Sequence, residues 1–145
     1  FLSYINGEPT KASTLEAIMD EILRRGRDKI VTSVLPKVEV AWSASEKYNR
    51  ALDPKEEAEI DRLWNDSSVI ELIDFNDDIT EIARSLRRRS MQRGWKLRFP
   101  DAVHLATAEW VNTQEMNTYD KQLFKYSELI GIPVKLPVAA QPKLF

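Results

Sequence analysis

The chain has 145 residues, of which 43% are hydrophobic, and its formal net charge is −2 with one histidine and no cysteine. This length and composition predict one domain with its own hydrophobic core. The lack of cysteine excludes disulfides, thiolate zinc sites and cysteine nucleophiles, and a single histidine argues against a Ser-His-Asp triad, so any metal must bind through oxygen ligands. No apolar run reaches the length of a membrane span and no signal-peptide pattern opens the chain, which predicts a soluble cytoplasmic protein.

Helix and strand signals alternate along the first part of the chain. Ser13 or Thr14 is expected to cap a first helix, whose apolar residues recur at helical spacing and which ends at Gly26. Residues 30–35 then predict a buried strand. Pro36 suits the first position of a second helix.

The second helix and the one after it are expected to pair as a helical hairpin. One face of the second helix is apolar and is formed by Leu35, Val38 and Trp42. Asp53 and Pro54 are expected to start the third helix, because Asp is a frequent cap and Pro a frequent first helical residue.

The second half of the chain continues the alternation. Residues 69–73 predict a strand, and Asp77 or Asp78 is expected to cap a helix that ends at Gly94. Capping is the better account of these two aspartates than metal binding. The next elements are a helix over about 100–111, a strand over 115–119, a short helix over 120–129 and a last strand over 132–136.

Alternating strands and helices are typical of βαβ units with right-handed crossovers. We therefore expect an α/β fold, in which residues 1–137 form a single domain: a three-layer α/β/α sandwich with a central parallel sheet. Residues 138–145 contain Pro142 and little periodicity, which predicts a loose C-terminal tail.

Two carboxylates fall at predicted element boundaries. Asp101 follows Pro100 in the first turn of a helix, where free N–H groups favour its ionised form, and Asp120 ends a strand and opens the next helix. In a parallel sheet both junctions lie at the carboxyl edge, where such folds gather their chemistry, and two anions there invite a metal. Each has an alternative role: Asp101 as a first-turn anion contributing about 0.3–1 kcal/mol, and Asp120 as an N-cap contributing about 1 kcal/mol.

Charge is segregated along the chain, because an acidic stretch from Asp53 to Glu81 is followed by a basic one. The basic residues considered as RNA ligands are Arg84, Arg87, Arg88, Arg93 and Arg98. Several of them are at helical spacing and can equally form a solvated helix face. Their position before Asp101 favours a role in guiding phosphates, with RNA affinity that falls as salt rises.

The histidine and the tryptophans have mainly structural interpretations. His104 lies on a helix between apolar neighbours, where a hydrogen-bonded structural role is favoured over general-base catalysis. Trp42, Trp64 and Trp110 are expected in the core, whereas Trp95 lies in the basic stretch and is a candidate for stacking on a base.

Several motifs together resemble the PIN domain of metal-dependent ribonucleases, and in particular the VapC-like toxins of toxin–antitoxin pairs. The motifs are the helix start Asp101–Ala108, the strand end Thr118-Tyr119-Asp120, the closing segment Leu129–Val134, and Ser33-Val34-Leu35 followed by Glu39. The resemblance implies that Glu39, Asp101 and Asp120 are acidic metal-site residues and that Thr118 is their polar neighbour.

The implied function is Mg²⁺- or Mn²⁺-dependent hydrolysis of RNA phosphodiester bonds by an endoribonuclease. Such hard cations bind through carboxylates and need neither histidine nor sulfur, which fits the composition. The resemblance further implies an antitoxin protein as partner and a homodimer. The alternative is a catalytically inactive PIN-like module that binds RNA or a protein partner.

The N-terminus departs from the pattern of the family. PIN domains begin with a buried strand that ends in an Asp motif, and residues 1–9 resemble the segment that comes directly after that motif. We therefore expect the first strand to be missing upstream of Phe1, and the natural protein to be slightly longer and to supply this Asp.

Overall fold

A computed structural model describes residues 9–26, 28–39 and 54–138. Within these ranges, short strands alternate with helices, as the sequence predicts. The elements in chain order are α1 (Pro9–Arg25), β1 (Ile30–Ser33), α2 (Pro36–Glu39), α3 (Pro54–Asn65), β2 (Ile70–Ile73), α4 (Asp77–Gln92), α5 (Phe99–Val111), β3 (Met116–Asn117), a 3₁₀-helix (Lys121–Tyr126), α6 (Ser127–Ile130) and β4 (Val134–Lys135).

The described strands pair in parallel. In one sheet of two strands, the N–H of Ile30 donates to the Val69 carbonyl at 2.8 Å and the N–H of Val34 donates to the Ile73 carbonyl at 3.0 Å, so β1 and β2 run in the same direction. In the other, β3 pairs in parallel with β4, with Met116 opposite Val134. Parallel pairing between strands separated by helices is the signature of an α/β fold. The three-layer arrangement stays a prediction.

The chain divides into two compact units. The second unit comprises Val31–Leu35 and Leu72–Pro137, and the first comprises the described residues outside these ranges. Buried residues of the first unit include Ile60, Leu63 and Trp64 of α3. That residues 1–137 form a single domain stays a prediction. A helix that could cross a bilayer is absent from the described ranges.

The second unit has its own hydrophobic core, built mainly between α4 and α5. Its buried members are Ile79, Ala83, Leu86, Leu97, Ala102, Val103, Leu105, Ala106, Leu123, Tyr126, Leu129, Ile130, Ile132 and Val134. Buried hydroxyls within it are satisfied locally, because Ser90 Oγ donates to the Leu86 carbonyl at 2.6 Å and Thr107 Oγ1 to the Val103 carbonyl at 2.8 Å. This core fixes the start of α5, which carries Asp101.

The first helix begins earlier than the sequence indicates. Ser13 and Thr14 do not cap α1; their hydroxyls donate to the Thr10 carbonyl at 3.0 and 2.9 Å, as hydroxyls within a helix do. The helix begins at Pro9 because the fixed φ of proline suits a first helical residue. Its predicted end at Gly26 is confirmed, with a left-handed φ of +66°.

The cap of α4 is Asn76 and not Asp77 or Asp78. Asn76 has an extended backbone, and its Oδ1 accepts a 2.9 Å hydrogen bond from the N–H of Ile79. The two aspartates instead occupy the first turn, where the helix dipole favours negative charge. The predicted end at Gly94 is confirmed by its φ of +69°, just after the C-cap Arg93.

Two large apolar side chains on the helices are exposed. Val38 of α2 is 78% exposed, whereas Leu35 of the same predicted face is partly buried against the core. Trp110 of α5 is 43% exposed, so its expected core position is wrong. Trp64 is buried as predicted. Trp42 and the predicted helical hairpin lie outside the described residues.

The C-terminal elements are shorter than the sequence predicts. The strand expected over 115–119 comprises Met116–Asn117, although the N–H of Thr118 continues the pairing by donating to the Lys135 carbonyl at 2.9 Å. The helix expected over 120–129 is a 3₁₀-helix followed by α6, with Asp120 as the cap. Pairing ends here because Thr118 and Asp120 begin a turn with their own hydrogen bonds.

Candidate active site at Asp101 and Asp120

Asp101 lies in the first turn of α5, as predicted. The helix begins at Phe99 with Pro100 in its first turn, and its N-cap residue Arg98 has an extended backbone and makes no side-chain cap hydrogen bond. Asp101 therefore supplies the negative charge that the unpaired N–H groups of this helix end favour. Its side chain is only 15% exposed.

Asp120 is held in place by hydrogen bonds on both sides. Its Oδ1 accepts from the N–H of Gln122 at 2.9 Å, which caps the 3₁₀-helix, and its own N–H donates to Thr118 Oγ1 at 3.1 Å. Because Oδ1 is engaged in the cap, Oδ2 is the oxygen directed at an outer partner. Thr118 thus acts on Asp120 through the backbone.

Arg98 joins the two carboxylates. Its Nε donates to Asp101 Oδ2 at 2.7 Å and its Nη2 to Asp101 Oδ1 at 3.4 Å, a bidentate pair. The same Nη2 lies 3.7 Å from Asp120 Oδ2. Asp101 and Asp120, predicted to meet at a sheet edge, therefore lie on either side of one guanidinium. We call these two residues the acid pair.

The acid pair fits a hard divalent cation. Its donors are all carboxylate oxygens, and Mg²⁺ is commonly held by one or two carboxylates while it keeps several waters. The guanidinium between the two residues shows that a cation is accommodated there. Across residues 9–26, 28–39 and 54–138, no group of three or more Asp, Glu or His is placed to hold a metal.

Glu39 stands apart from the acid pair in the division of the chain. It is the last residue of α2 and belongs to the first unit, whereas the acid pair belongs to the second. Its side chain is exposed. Its role as a metal ligand stays a prediction.

His104 makes a structural contact. Its Nδ1 lies 3.1 Å from the Oγ of Ser33, which is buried at the end of β1 and accepts a 3.4 Å hydrogen bond from the N–H of Leu35. This arrangement suits a serine hydroxyl that donates to the imidazole. It ties α5 to the end of β1 within the second unit and favours the structural interpretation of this histidine.

The arginines predicted to bind RNA have different surroundings. Arg84 lies 3.4 Å from Glu81 in an exposed pair, and Arg87 and Arg88 are exposed on α4. Arg93 bonds Glu128 at 2.7 Å. Arg98 differs from all of them because it contacts the acid pair.

Trp95, the candidate for stacking on a base, has limited room to do so. Its ring is partly buried and packs edge-on against Tyr126, with centroids 5.4 Å apart. The guanidinium of Arg93 and the ammonium of Lys125 each lie 5.1 Å from its centroid. Cation–π contacts and core packing therefore occupy much of the surface of the Trp95 ring.

Two further titratable groups in the second unit are not indicated by the sequence. Burial raises the pKa of Glu109, an effect that the positive charge of Arg89 opposes, and Glu109 Oε2 is buried without a hydrogen-bond partner among the described residues. Burial also raises the pKa of Tyr126, whose hydroxyl donates to the Lys96 carbonyl at 3.2 Å, and the charge of Asp101 adds to that rise. Neither has a local sequence signal, because burial depends on how α4 and α5 pack.

Helices alternating with short parallel strands agree with the family comparison. The PIN domain family matches residues 1–129, and the chain belongs to this family. PIN domains are generally nucleases, which makes a nuclease of the hydrolase class the kind of protein expected, and they typically use divalent metals. No curated protein and no solved structure matches the chain.

Proposed function

We propose that the protein is a Mg²⁺- or Mn²⁺-dependent endoribonuclease that hydrolyses RNA phosphodiester bonds, with Asp101 and Asp120 as metal ligands. The observation that carries the proposal is the convergence of these carboxylates on one guanidinium, at 2.7 and 3.7 Å. Two carboxylates that converge on one cationic group are candidates to converge on a metal ion. Membership of the PIN family supports the same chemistry.

The residues around the proposed metal have separate roles. A bound divalent cation supplies an activated water and neutralises charge that develops on the phosphate. Asp120 presents Oδ2 because its Oδ1 is committed to the N–H of Gln122. Thr118 positions Asp120 through its N–H, and Glu39 is the proposed third acid.

The proposed test measures cleavage of a fluorescently labelled single-stranded RNA by the purified protein. Cleavage should require Mg²⁺ or Mn²⁺ and stop on addition of EDTA. Asp101→Asn and Asp120→Asn should each abolish cleavage while circular dichroism stays unchanged. Asp61→Asn, at an exposed carboxylate of α3, is the matched control and should cleave like the wild type. Unchanged cleavage by both site variants would reject the assignment.

The same assay separates the nuclease from a binding module. The alternative is a catalytically inactive PIN-like module that binds RNA or a protein partner. If that alternative is correct, the wild type will bind RNA with an affinity that falls as salt rises, and no divalent metal will produce cleavage. In the nuclease, metal addition converts the bound RNA to product.

We further propose that the nuclease is the toxin of a toxin–antitoxin pair, a cytoplasmic homodimer bound by an antitoxin protein. The VapC-like motifs at Asp101–Ala108 and Thr118–Asp120 support this role. An exposed aromatic pair, Phe75 and Phe99, with ring centroids 6.3 Å apart, offers apolar surface to a protein partner. Expression from the native operon tests the role: a small protein encoded by the adjacent gene should co-purify and suppress cleavage.

A further inference from the structure

We propose that Arg98 is the resident counter-ion of the acid pair: it competes with the divalent cation for Asp101 and Asp120 and, once displaced, binds a phosphate of the RNA. This inference rests on the proposed nuclease function. The Arg98 side chain then has two positions: in contact with the carboxylates of Asp101 and Asp120, or in contact with the RNA.

The first position is given by the contacts. The guanidinium donates to both oxygens of Asp101, at 2.7 and 3.4 Å, and lies 3.7 Å from Asp120 Oδ2. Asp120 Oδ1 is engaged in its cap, so a metal ion at the acid pair would bind mainly the oxygens that the guanidinium contacts. The metal and the guanidinium therefore compete for the same carboxylate charge.

Arg98 can reach its second proposed position, on an RNA phosphate, because of its place at the start of α5. Its side chain is 66% exposed, whereas those of Asp101 and Asp120 are 15% and 39% exposed, so the arginine is the most solvent-exposed of the three side chains. Arg98 is the N-cap residue of α5 but makes no side-chain cap hydrogen bond. Its side chain can therefore move outward without breaking a hydrogen bond that starts the helix.

The difference in charge favours replacement of the Arg98 guanidinium by a divalent cation at the acid pair. Arg98 contributes one positive charge against the two negative charges of the acid pair, and a divalent cation neutralises both. Exposed ion pairs are weak, so the arginine is a displaceable partner for a carboxylate. Loss of Arg98 should nevertheless remove a competitor and increase metal affinity.

The displaced guanidinium is suited to a phosphate. Its planar donors match two phosphate oxygens at once, as they match the two oxygens of Asp101. Arg98 is only one helical turn from Asp101, so a phosphate that it binds lies beside the metal. Metal binding should therefore strengthen RNA binding by releasing this arginine.

The experiment measures Mn²⁺ binding directly, by electron paramagnetic resonance of free Mn²⁺, for the wild type, Arg98→Gln and Asp101→Asn. Arg24→Gln is the matched control, because Arg24 is an exposed arginine paired with one glutamate, Glu21. We expect Arg98→Gln to bind Mn²⁺ about two- to fivefold more tightly, the range that loss of one exposed ion pair supplies. Arg24→Gln should bind like the wild type.

A second measurement uses a phosphorothioate single-stranded RNA and fluorescence anisotropy, with and without Mn²⁺. Mn²⁺ should strengthen RNA binding by the wild type and by Arg24→Gln more than by Arg98→Gln. Metal affinity in Arg98→Gln that equals or falls below that of the wild type overturns the competition, provided that Asp101→Asn loses Mn²⁺. If the wild type and Asp101→Asn bind Mn²⁺ alike, the proposed metal site itself fails.

Discussion

Thr118 Oγ1 accepts a 3.1 Å hydrogen bond from the N–H of Asp120 at the end of β3. Asp120 Oδ1 then accepts from the N–H of Gln122 at 2.9 Å. The threonine hydroxyl thus fixes the backbone of a proposed metal ligand, and the start of the 3₁₀-helix fixes its side chain. Both hydrogen bonds are local, and each can be removed by a single substitution.

Replacement of Thr118 by valine should reduce cleavage without unfolding the protein. Valine keeps the shape and strand preference of threonine but removes the acceptor for the N–H of Asp120. A hydrogen bond of this kind is worth about 0.5–1.5 kcal/mol, so kcat/KM should fall roughly two- to tenfold. Thr118→Ser keeps the hydroxyl and should stay near the wild-type rate. Equal rates for the valine and serine variants would contradict the positioning role.

Two substitutions at Asp120 should separate its structural role from its proposed catalytic role. Asn is as good an N-cap as Asp, so Asp120→Asn should keep the free energy of unfolding close to that of the wild type. Asp120→Ala loses the acceptor for Gln122 and should cost about 0.5–2 kcal/mol. Both variants should lose Mn²⁺ binding. Urea denaturation and metal titration of the two proteins check this, and retained metal affinity in Asp120→Asn would contradict the assignment.

The start of α4 provides a test of the cap identified in the structure. Asn76→Ala should lower the free energy of unfolding by about 1 kcal/mol, because the N–H of Ile79 loses its acceptor. Asn76→Asp keeps an acceptor and should be nearly neutral. Asp78→Asn removes only a first-turn charge and should cost about 0.3–1 kcal/mol, less at high salt. Urea denaturation at low and high salt distinguishes these effects, and a loss in Asp78→Asn larger than that in Asn76→Ala would identify the aspartate as the cap.

The sequence predicts the elements of the second unit better than their exact ends. The helix that carries Asp101 is predicted from Pro100, which lies in its first turn. The turn at Asp120 is predicted from the change between a strand pattern and a helix pattern, which occurs within a few residues. The predicted cap of α4 is wrong because Asn76, Asp77 and Asp78 are adjacent and all suit the role. Only the backbone conformation of Asn76 decides among them.

The contacts of the acid pair are partly predictable. Asp120 comes directly after strand β3, as predicted, but Asp101 follows α4 and a loop and not a strand, so its place beside Asp120 depends on helix packing. Arg98 is three residues before Asp101, a spacing at which side chains meet on a helix, and this signal could have indicated the ion pair. Its second contact, with Asp120, depends on tertiary packing and has no local signal.

The exposure of Val38 and Trp110 could not be predicted from periodicity. A helical pattern indicates which residues share a face but not whether another element covers that face. The patterns of α2 and α5 include these apolar residues, and the structure leaves both exposed.

Glu109 should make the stability of the protein depend on pH. Burial raises the pKa of this carboxyl above its usual 4.5 in the folded protein, so the folded state holds its proton more tightly than the unfolded state. The associated stability is fully present below pH 4.5 and is lost as the pH rises through the folded-state pKa. Glu109→Gln does not titrate and should therefore be more stable than the wild type near neutral pH, with little difference below pH 4.5.

Urea denaturation of the wild type and Glu109→Gln at a series of pH values tests this dependence. The difference in the free energy of unfolding should grow as the pH rises above 4.5 and then level off, because ionisation in the folded state is then complete. Glu59→Gln, at an exposed position of α3, should show no such rise and serves as the control. A difference between wild type and Glu109→Gln that stays constant across the series would mean that the carboxyl of Glu109 titrates alike in both states. Solvent would then hydrate Oε2 in the folded protein, since a hydrated carboxylate incurs no penalty for its charge.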